Sequence, residues 1–301
     1  MINSTATQKL TDLLIYLDGA YAPNTLRAYK ADMLEFFEYC NQTNNSALPA
    51  TPNTVGGFLM QTMSHGIKSS TIRRKVYSIS AVHRLTSLGD PTKHPKVKII
   101  LRKIFRQLGT RFDQVYPVTR AILDKMLSVC SNDLHGLRNR ALLLAAYDSM
   151  RRRCELISLR VEDIEWLTEE GASILLRKSK TDQHGSGKWI HLSNEATKAL
   201  EDWLSAAQIK DGFLFRGIRA GGSITDGLCD SRVSRIYKSL AERARLSKEA
   251  VDGISGHSMR VGAAQDLLSS GASLPQIMVK GGWAKTDTVM RYVERFGHRQ
   301  R

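Results

Sequence analysis

Behind a Pro23-Asn24-Thr25 start, Leu26, Tyr29, Met33 and Phe36 recur at helical intervals. This spacing predicts an amphipathic helix. Positions 41–53 are polar and hold two prolines, which marks a loop. A further helix is expected after Ser69-Ser70, with Ile72, Val76, Ile79 and Val82 as its apolar stripe. Positions 96–111 read as a strongly basic helix, with Ile99, Ile100, Ile104 and Leu108 available to a core. The pattern breaks over 109–117, a stretch containing Gly, Thr, Asp and Pro.

Beyond that break, 141–150 is apolar enough for a buried helix. Over 173–192 the period changes. Ile174 to Arg177 and Trp189 to Leu192 flank a polar run, 178–188, and predict two strands joined by a glycine-containing loop. A helix near Asp230 follows, with Val233, Ile236, Tyr237, Leu240, Ala241 and Ala244 as its stripe. The chain ends helical, through Leu267 and Ile277 to Phe296. A length of 301 residues favours two domains over one core. The expected fold class is mainly α: an all-helical domain over 1–112 and an α+β domain over 113–301 with a small β-sheet or hairpin.

Composition places the chain among globular proteins, with 42% apolar and 24% charged residues. No apolar run is long enough to span a bilayer, and the first residues lack the zones of a signal peptide. Cys40, Cys130, Cys154 and Cys229 are far apart, so free thiols in a reducing, cytoplasmic compartment are expected. Charge changes the picture more. The net value is +15 and the pI about 9.8, which points to a polyanionic partner, nucleic acid first. The surplus divides as +9 over 1–112 and +6 over 113–301, so DNA held between two basic domains is expected. Solubility alone is the bland alternative.

Five features of the second half carry candidate chemistry. In Arg152-Arg153-Cys154-Glu155-Leu156 an arginine beside a core is followed by an acid that can hold it rigid and aim it outward. Lys180, in Lys178-Ser179-Lys180-Thr181 at the hairpin tip, can reach a groove or protonate a leaving oxygen. His257 and Arg260 lie three apart and share a helical face. Gly256 and Gly262-Ala263-Ala264 around them permit close approach. The pair suits a phosphate. No second His or Cys stands at ligand spacing for a metal. Trp283 follows Gly281-Gly282 and is either a core plug or an indole N–H donor. Tyr292 sits on an amphipathic helix. Taken singly, most of these are ordinary: an ion pair at a helix end, a solvated lysine, a core tryptophan, a surface tyrosine.

Taken in order, Arg, Lys, His-x-x-Arg, Trp and Tyr on a basic two-domain chain resemble the tyrosine recombinase (phage integrase) family. The run GHSMRVGAAQDLLSSGASLPQIMVKGGW, followed by VMRYV, is most similar to its Cre-type branch. The likeness is weaker over 113–255 and mainly architectural over 1–112. It implies a site-specific recombinase that cleaves and rejoins DNA through a 3′-phosphotyrosyl link and frees a 5′-hydroxyl. Tyr292 matches the nucleophile. Arg152 and Arg260 match the two arginines that stabilise charge on the phosphoryl oxygens. Arg152, rather than Arg151 or Arg153, fits the family's Arg-x-x-Glu, and Glu155 would support it. His257 matches the histidine that bonds the phosphate and accepts the tyrosine proton, and Trp283 a position whose ring N–H contacts phosphate. Lys180 matches the lysine that protonates the leaving oxygen, although Lys178 is two residues away. No ATP, metal or other cofactor is implied.

The resemblance further implies a helical core-binding domain over 1–112 and a catalytic domain over 113–301, closing on DNA as a C-shaped clamp. Helices around 25–39 and 71–85 would lie against DNA, with Arg73, Arg74 and Lys75 in contact. The implied partner is double-stranded DNA bearing an inverted-repeat site, bound by a homotetramer on two sites in the nucleoid. About twenty residues before the first core-binding helix leave little room for an arm-binding domain. Nine residues after Tyr292 leave the docking of neighbouring protomers open. Tyr292 is expected to act within its own protomer. The competing readings are type IB topoisomerase-like relaxation and a catalytically inactive DNA-binding protein.

Overall fold

The computed structural model describes residues 4–109, 115–167, 171–179 and 186–293. The chain divides into two compact units, Met1–Asp113 and Gln114–Arg301.

The first unit is helical: α1 (Ser4–Tyr16), α2 (Pro23–Gln42), α3 (Pro52–Ser64), α4 (Ser69–Leu85) and α5 (Pro95–Leu108). Helix starts follow local chemistry. Pro52 opens α3 after Thr51, whose side chain accepts from Thr54 N–H, and His94 caps α5 by accepting from Lys96 N–H. Met33, Phe36, Phe58, Ile72, Ile79 and Val82 form the core, with Phe36 and Phe58 edge-to-face at 5.1 Å. The phase of α5 differs from expectation. Val97 and Ile104 are buried, whereas Ile99 and Leu108 face solvent. Val97 and Ile104 are two helical turns apart, so Ile99, two residues from Val97, falls on the far side of the helix.

The second unit contains α6 (Arg120–Ser128), α7 (Leu134–Ser149), α8 (Arg153–Leu156), strands β1 (Ile164–Leu167), β2 (Gly171–Leu176) and β3 (Lys188–Leu192), then α9 (Asn194–Ala206), α10 (Asp230–Arg243), α11 (Lys248–Gly253), α12 (Ser258–Ser269), α13 (Leu274–Gly281) and α14 (Thr286–Val293). The sheet is antiparallel in the order β1-β2-β3, with Ile174 opposite Ile190. The fold is therefore mainly helical with a small sheet in the second unit, as the periodicity predicts. Strand β1 and helix α9 are additions to that prediction. Helix α7 is central: Ala141 to Ala146 are all buried, so it shows no polar face. A separate small core of Met150, Ala263, Ala264, Ile277, Trp283 and Val289 joins the end of α7 to α12, α13 and α14. Among the described residues, no helix is long and apolar enough to cross a membrane.

Candidate active site

The site is built where α7 stops. Asp133 caps its start, accepting from Gly136 N–H. Its end is abrupt, because Met150 adopts the left-handed conformation, φ 52° and ψ 29°. A non-glycine residue does so at a cost of about 1–2 kcal/mol. The turn frees the Met150 carbonyl and swings the next three arginines off the helix in different directions.

Arg152 takes an extended conformation at the start of α8. Its backbone N–H donates to Glu155 Oε2 at 3.1 Å, and its Nη1 donates to Glu155 Oε1 at 2.7 Å. Glu155 is buried, so one carboxylate fixes both the main chain and the side chain of Arg152. Arg153 faces Asp230 instead, at 3.5 Å. Arg151 turns inward. Its Nε donates to Ser149 O at 2.8 Å, and its Nη2 donates to the carbonyl of Lys280 near the end of α13.

Helix α12 brings in the second arginine from 110 residues away. Arg260 is 2% exposed. Its Nη1 donates to Met150 O at 2.7 Å, and its Cζ lies 4.1 Å from the centre of the Trp283 ring. Its Nη2 is buried and has no hydrogen-bond partner among the described residues. Burial, and then the positive charge of Arg152, lower its pKa to about 10, so it stays charged at neutral pH. A buried cation with an unfilled donor is stabilised by an arriving anion. The small residues have their predicted use. At Gly262 an added Cβ would stand 1.8 Å from Val118 O, so only glycine lets α12 pack so tightly there.

His257 immediately precedes α12 and is exposed at the mouth of the site. Crowding on its inner side, and then the charge of Arg260, pull its pKa below the ordinary value. At neutral pH it is therefore uncharged and able to accept a proton.

The Gly281-Gly282-Trp283 motif ends α13. Gly282 is left-handed, φ 66°, and a Cβ on Gly281 would meet the Trp283 ring at 2.0 Å. The indole thus folds back over its own turn and onto Arg260. Trp283 and Tyr292 have ring centres 5.7 Å apart. Tyr292 is half-buried on α14, whose Val289 is fully buried. Gln265 Nε2 donates to the Tyr292 carbonyl at 2.9 Å, tying α14 to α12. Arg152, Glu155, His257, Arg260, Trp283 and Tyr292 thus converge on one turn and the helices beside it.

Lys180 lies outside the described residues. Lys178 is described and exposed. Lys188, which the polar run 178–188 places in a loop, is the first residue of β3. Its ammonium donates to the Val279 carbonyl, and its pKa is lowered by partial burial and then by Arg151 and Arg260. Arg151 and Lys188 therefore hold adjacent carbonyls at the C-terminal end of α13, where cations are favoured. Sequence spacing gave no sign of either role. In the first unit, Arg73 stacks on Phe105 at 4.9 Å and Arg74 pairs with Asp32 at 2.9 Å. Lys75 is only 3% exposed, with its ammonium on Glu35 and over the Phe58 ring. Here Lys75 joins α2, α3 and α4 and does not present its charge to solvent. Among the described residues, no group of three or more His, Cys, Asp or Glu side chains is placed to hold a metal.

Comparison with known proteins identifies the family of the chain. Residues 118–298 match the phage integrase family, and residues 11–88 match the phage integrase N-terminal SAM-like domain. The chain is 28% identical to recombinase cre of Escherichia phage P1 over 91% of this chain and 84% of that protein. It is 29% identical to an integrase/recombinase xerD homolog of Selenomonas ruminantium over 92% of this chain and 83% of that protein. Among solved structures, the XerH site-specific recombinase bound to palindromic difH substrate has a fold similar to this one. Its TM-score is 0.69 at 18% identity, covering 91% of this chain and 77% of that one. A lambda integrase dimer bound to a COC′ core site aligns at TM-score 0.64 and 15% identity, over 95% of this chain and 76% of that one.

Proposed function

Because this chain belongs to the phage integrase family, we propose that Tyr292 is the nucleophile with which it breaks and rejoins DNA. The protein is a tyrosine recombinase, a DNA breaking-rejoining enzyme of site-specific recombination. The single observation that carries the residue assignment is the chain of contacts from Met150 to Tyr292: carbonyl to Arg260, guanidinium to Trp283, indole to the Tyr292 ring.

In this assignment the Tyr292 oxygen forms a bond to the DNA phosphorus and the bond to the 5′ oxygen breaks. Neutral His257 takes the phenolic proton. Lys180 gives a proton to the departing oxygen. Arg152 and Arg260 neutralise charge on the non-bridging oxygens as it grows, and the unfilled Nη2 of Arg260 offers one of the donors. The Trp283 indole N–H adds another. The phosphotyrosyl bond retains the energy of the phosphodiester, so religation by the 5′-hydroxyl needs no external energy source.

The two units take the roles of core-binding domain and catalytic domain, divided at 112/113. DNA contact in the first unit rests on Arg73 and Arg74, whose guanidinium groups are partly or largely exposed. An inverted-repeat site bound by a homotetramer on two sites, with cleavage by each protomer's own tyrosine, follows the pattern of the family. A nucleoid-associated protein fits that substrate.

The test uses nicked duplexes carrying the repeats that flank the encoding gene. The wild type should yield a denaturation-resistant protein–DNA adduct. Tyr292→Phe should bind the same duplex and yield none. Adduct formation by Tyr292→Phe removes Tyr292 as nucleophile.

A further inference from the structure

Helix α12, which carries Arg260, is bonded to α7 at a second place beyond the active site. Tyr147 lies on α7, just before the left-handed Met150. Its hydroxyl donates to Asp266 Oδ2 on α12. The same carboxylate oxygen accepts the Arg120 backbone N–H at 2.6 Å. Thr119, at the start of α6, makes no side-chain cap bond of its own, so Asp266 caps that helix from 146 residues away. The Arg120 guanidinium is engaged elsewhere, by Glu195 and Asp124 at 2.8 Å each. The Tyr147 ring packs against both the main core of the second unit and the small core that holds Trp283.

Two side-chain hydrogen bonds therefore join α12 to the end of α7: Arg260 Nη1 on the Met150 carbonyl, and the Tyr147 hydroxyl on Asp266. Going forward along α7 from Tyr147 to Met150 means going backward along α12 from Asp266 to Arg260. The two elements are antiparallel there, and the bonds bracket their contact. Asp266 stands about 9 Å beyond Arg260 at 1.5 Å per residue. Between them lie Gly262, Ala263 and Ala264. Such small side chains let helices approach closely, but their low ridges resist sliding only weakly. Polar bonds must then set the register. Burial, and then Asp266, hold the Tyr147 pKa well above its ordinary value, so the hydroxyl keeps its proton and stays the donor.

We propose that Tyr147 and Asp266 are positioning residues for strand cleavage, and that the hydrogen bond between them sets where α12 holds Arg260. This rests on the tyrosine recombinase reading above. Neither side chain belongs to the groups assigned to the reacting atoms. Their effect is geometric. Arg260 offers Nη2 in the right place only while its Nη1 stays on the Met150 carbonyl. Stabilisation of growing charge depends on donors that are already in position. A displacement of about 1 Å in such a group costs up to about 100-fold in rate. A purely stabilising role for the pair would lower the melting temperature and leave cleavage by the folded protein unchanged.

The test measures single-turnover adduct formation by the full-length protein on the nicked duplex, over a range of protein concentrations. Tyr147→Phe keeps the ring in both cores and removes only the hydroxyl. It should half-saturate the duplex at the wild-type concentration, and its saturating rate should fall by about 10- to 100-fold. Asp266→Asn retains an oxygen for the Tyr147 hydroxyl and the Arg120 N–H, and should cleave close to the wild-type rate. Asp266→Ala should be at least as slow as Tyr147→Phe. Combining it with Tyr147→Phe should slow cleavage no further, since both remove one bond. Tyr147→Phe and Asp266→Asn decide the matter should Asp266→Ala not fold. A wild-type saturating rate for Tyr147→Phe overturns the inference, and so does a loss confined to the half-saturating concentration. Asp266→Asn as slow as Asp266→Ala also overturns it, because charge and not the hydrogen bond would then matter. Absence of adduct from the wild type overturns the recombinase reading and this inference with it; wild-type cleavage by Tyr147→Phe overturns this inference alone.

Discussion

The Arg260 Cζ sits 4.1 Å from the centre of the Trp283 ring, while its Nη1 holds the Met150 carbonyl. Trp283 therefore touches both proposed participants, lying against the Arg260 cation on one side and beside the Tyr292 ring on the other. Trp283→Phe keeps an aromatic floor and removes the indole N–H. It should fold with a small loss of stability and cleave more slowly. Trp283→Ala also empties part of the small core and should cost about 3–5 kcal/mol. Chemical denaturation and adduct kinetics on the same two variants separate the two roles. Equal cleavage by Trp283→Phe and wild type would remove the indole N–H from the mechanism.

Glu155 is expected to matter more for order than for charge. Glu155→Ala leaves Arg152 without its buried partner and should destabilise by about 3–5 kcal/mol. Glu155→Gln retains an oxygen for the Arg152 N–H and should recover part of that loss. Urea titrations of the two variants give the measurement, and equal destabilisation would show that the cap to the backbone contributes nothing.

His257 should titrate below the ordinary 6.5. A histidine with a lowered folded pKa contributes stability above the unfolded value, and this is lost as pH falls through the folded one. Cleavage should accordingly hold at neutral pH and fall on the acid side, as the proton acceptor fills. Arg153→Gln removes one of the charges that depress it, so the NMR midpoint should rise toward 6.5. A midpoint that does not move would mean that Arg153 contributes nothing and that burial, Arg260 and Arg152 set it.

The end of α13 depends on Gly282 and Arg151. An alanine Cβ at Gly282 would meet Arg151 Nη1 at 2.7 Å and force a left-handed alanine, a strain of about 1–2 kcal/mol. Gly282→Ala should melt lower than wild type. Arg151→Met should bind DNA normally and cleave slowly, because the turn carrying Trp283 loses its anchor. Undiminished cleavage by Arg151→Met would leave that arginine a purely structural role.

The leaving-group role of Lys180 has a chemical test. Lys180→Ala should cleave ordinary DNA poorly and recover on a substrate whose 5′ oxygen is replaced by sulfur, since a thiolate departs without a proton. Recovery by Lys178→Ala in place of Lys180→Ala would reassign the lysine.

The sequence by itself determined most of the elements and the candidate reacting groups. Apolar spacing is local and is read within one or two turns, so α2, α4, α7, α10 and the β2–β3 pair are legible without a fold. The motifs are legible for the same reason: His257 and Arg260 are one helical turn apart, and Arg152 and Glu155 bond each other across three residues. Only the tertiary structure decided what those groups rest on. Met150 O meets Arg260 across 110 residues, and Arg151 and Lys188 reach the end of α13 from two other elements. Lys75 read as a surface cation until α2 supplied Glu35. A charge near the start of a helix points to phosphate or to a neighbour depending on what packs opposite, and that information lies in long-range contacts, which have no period.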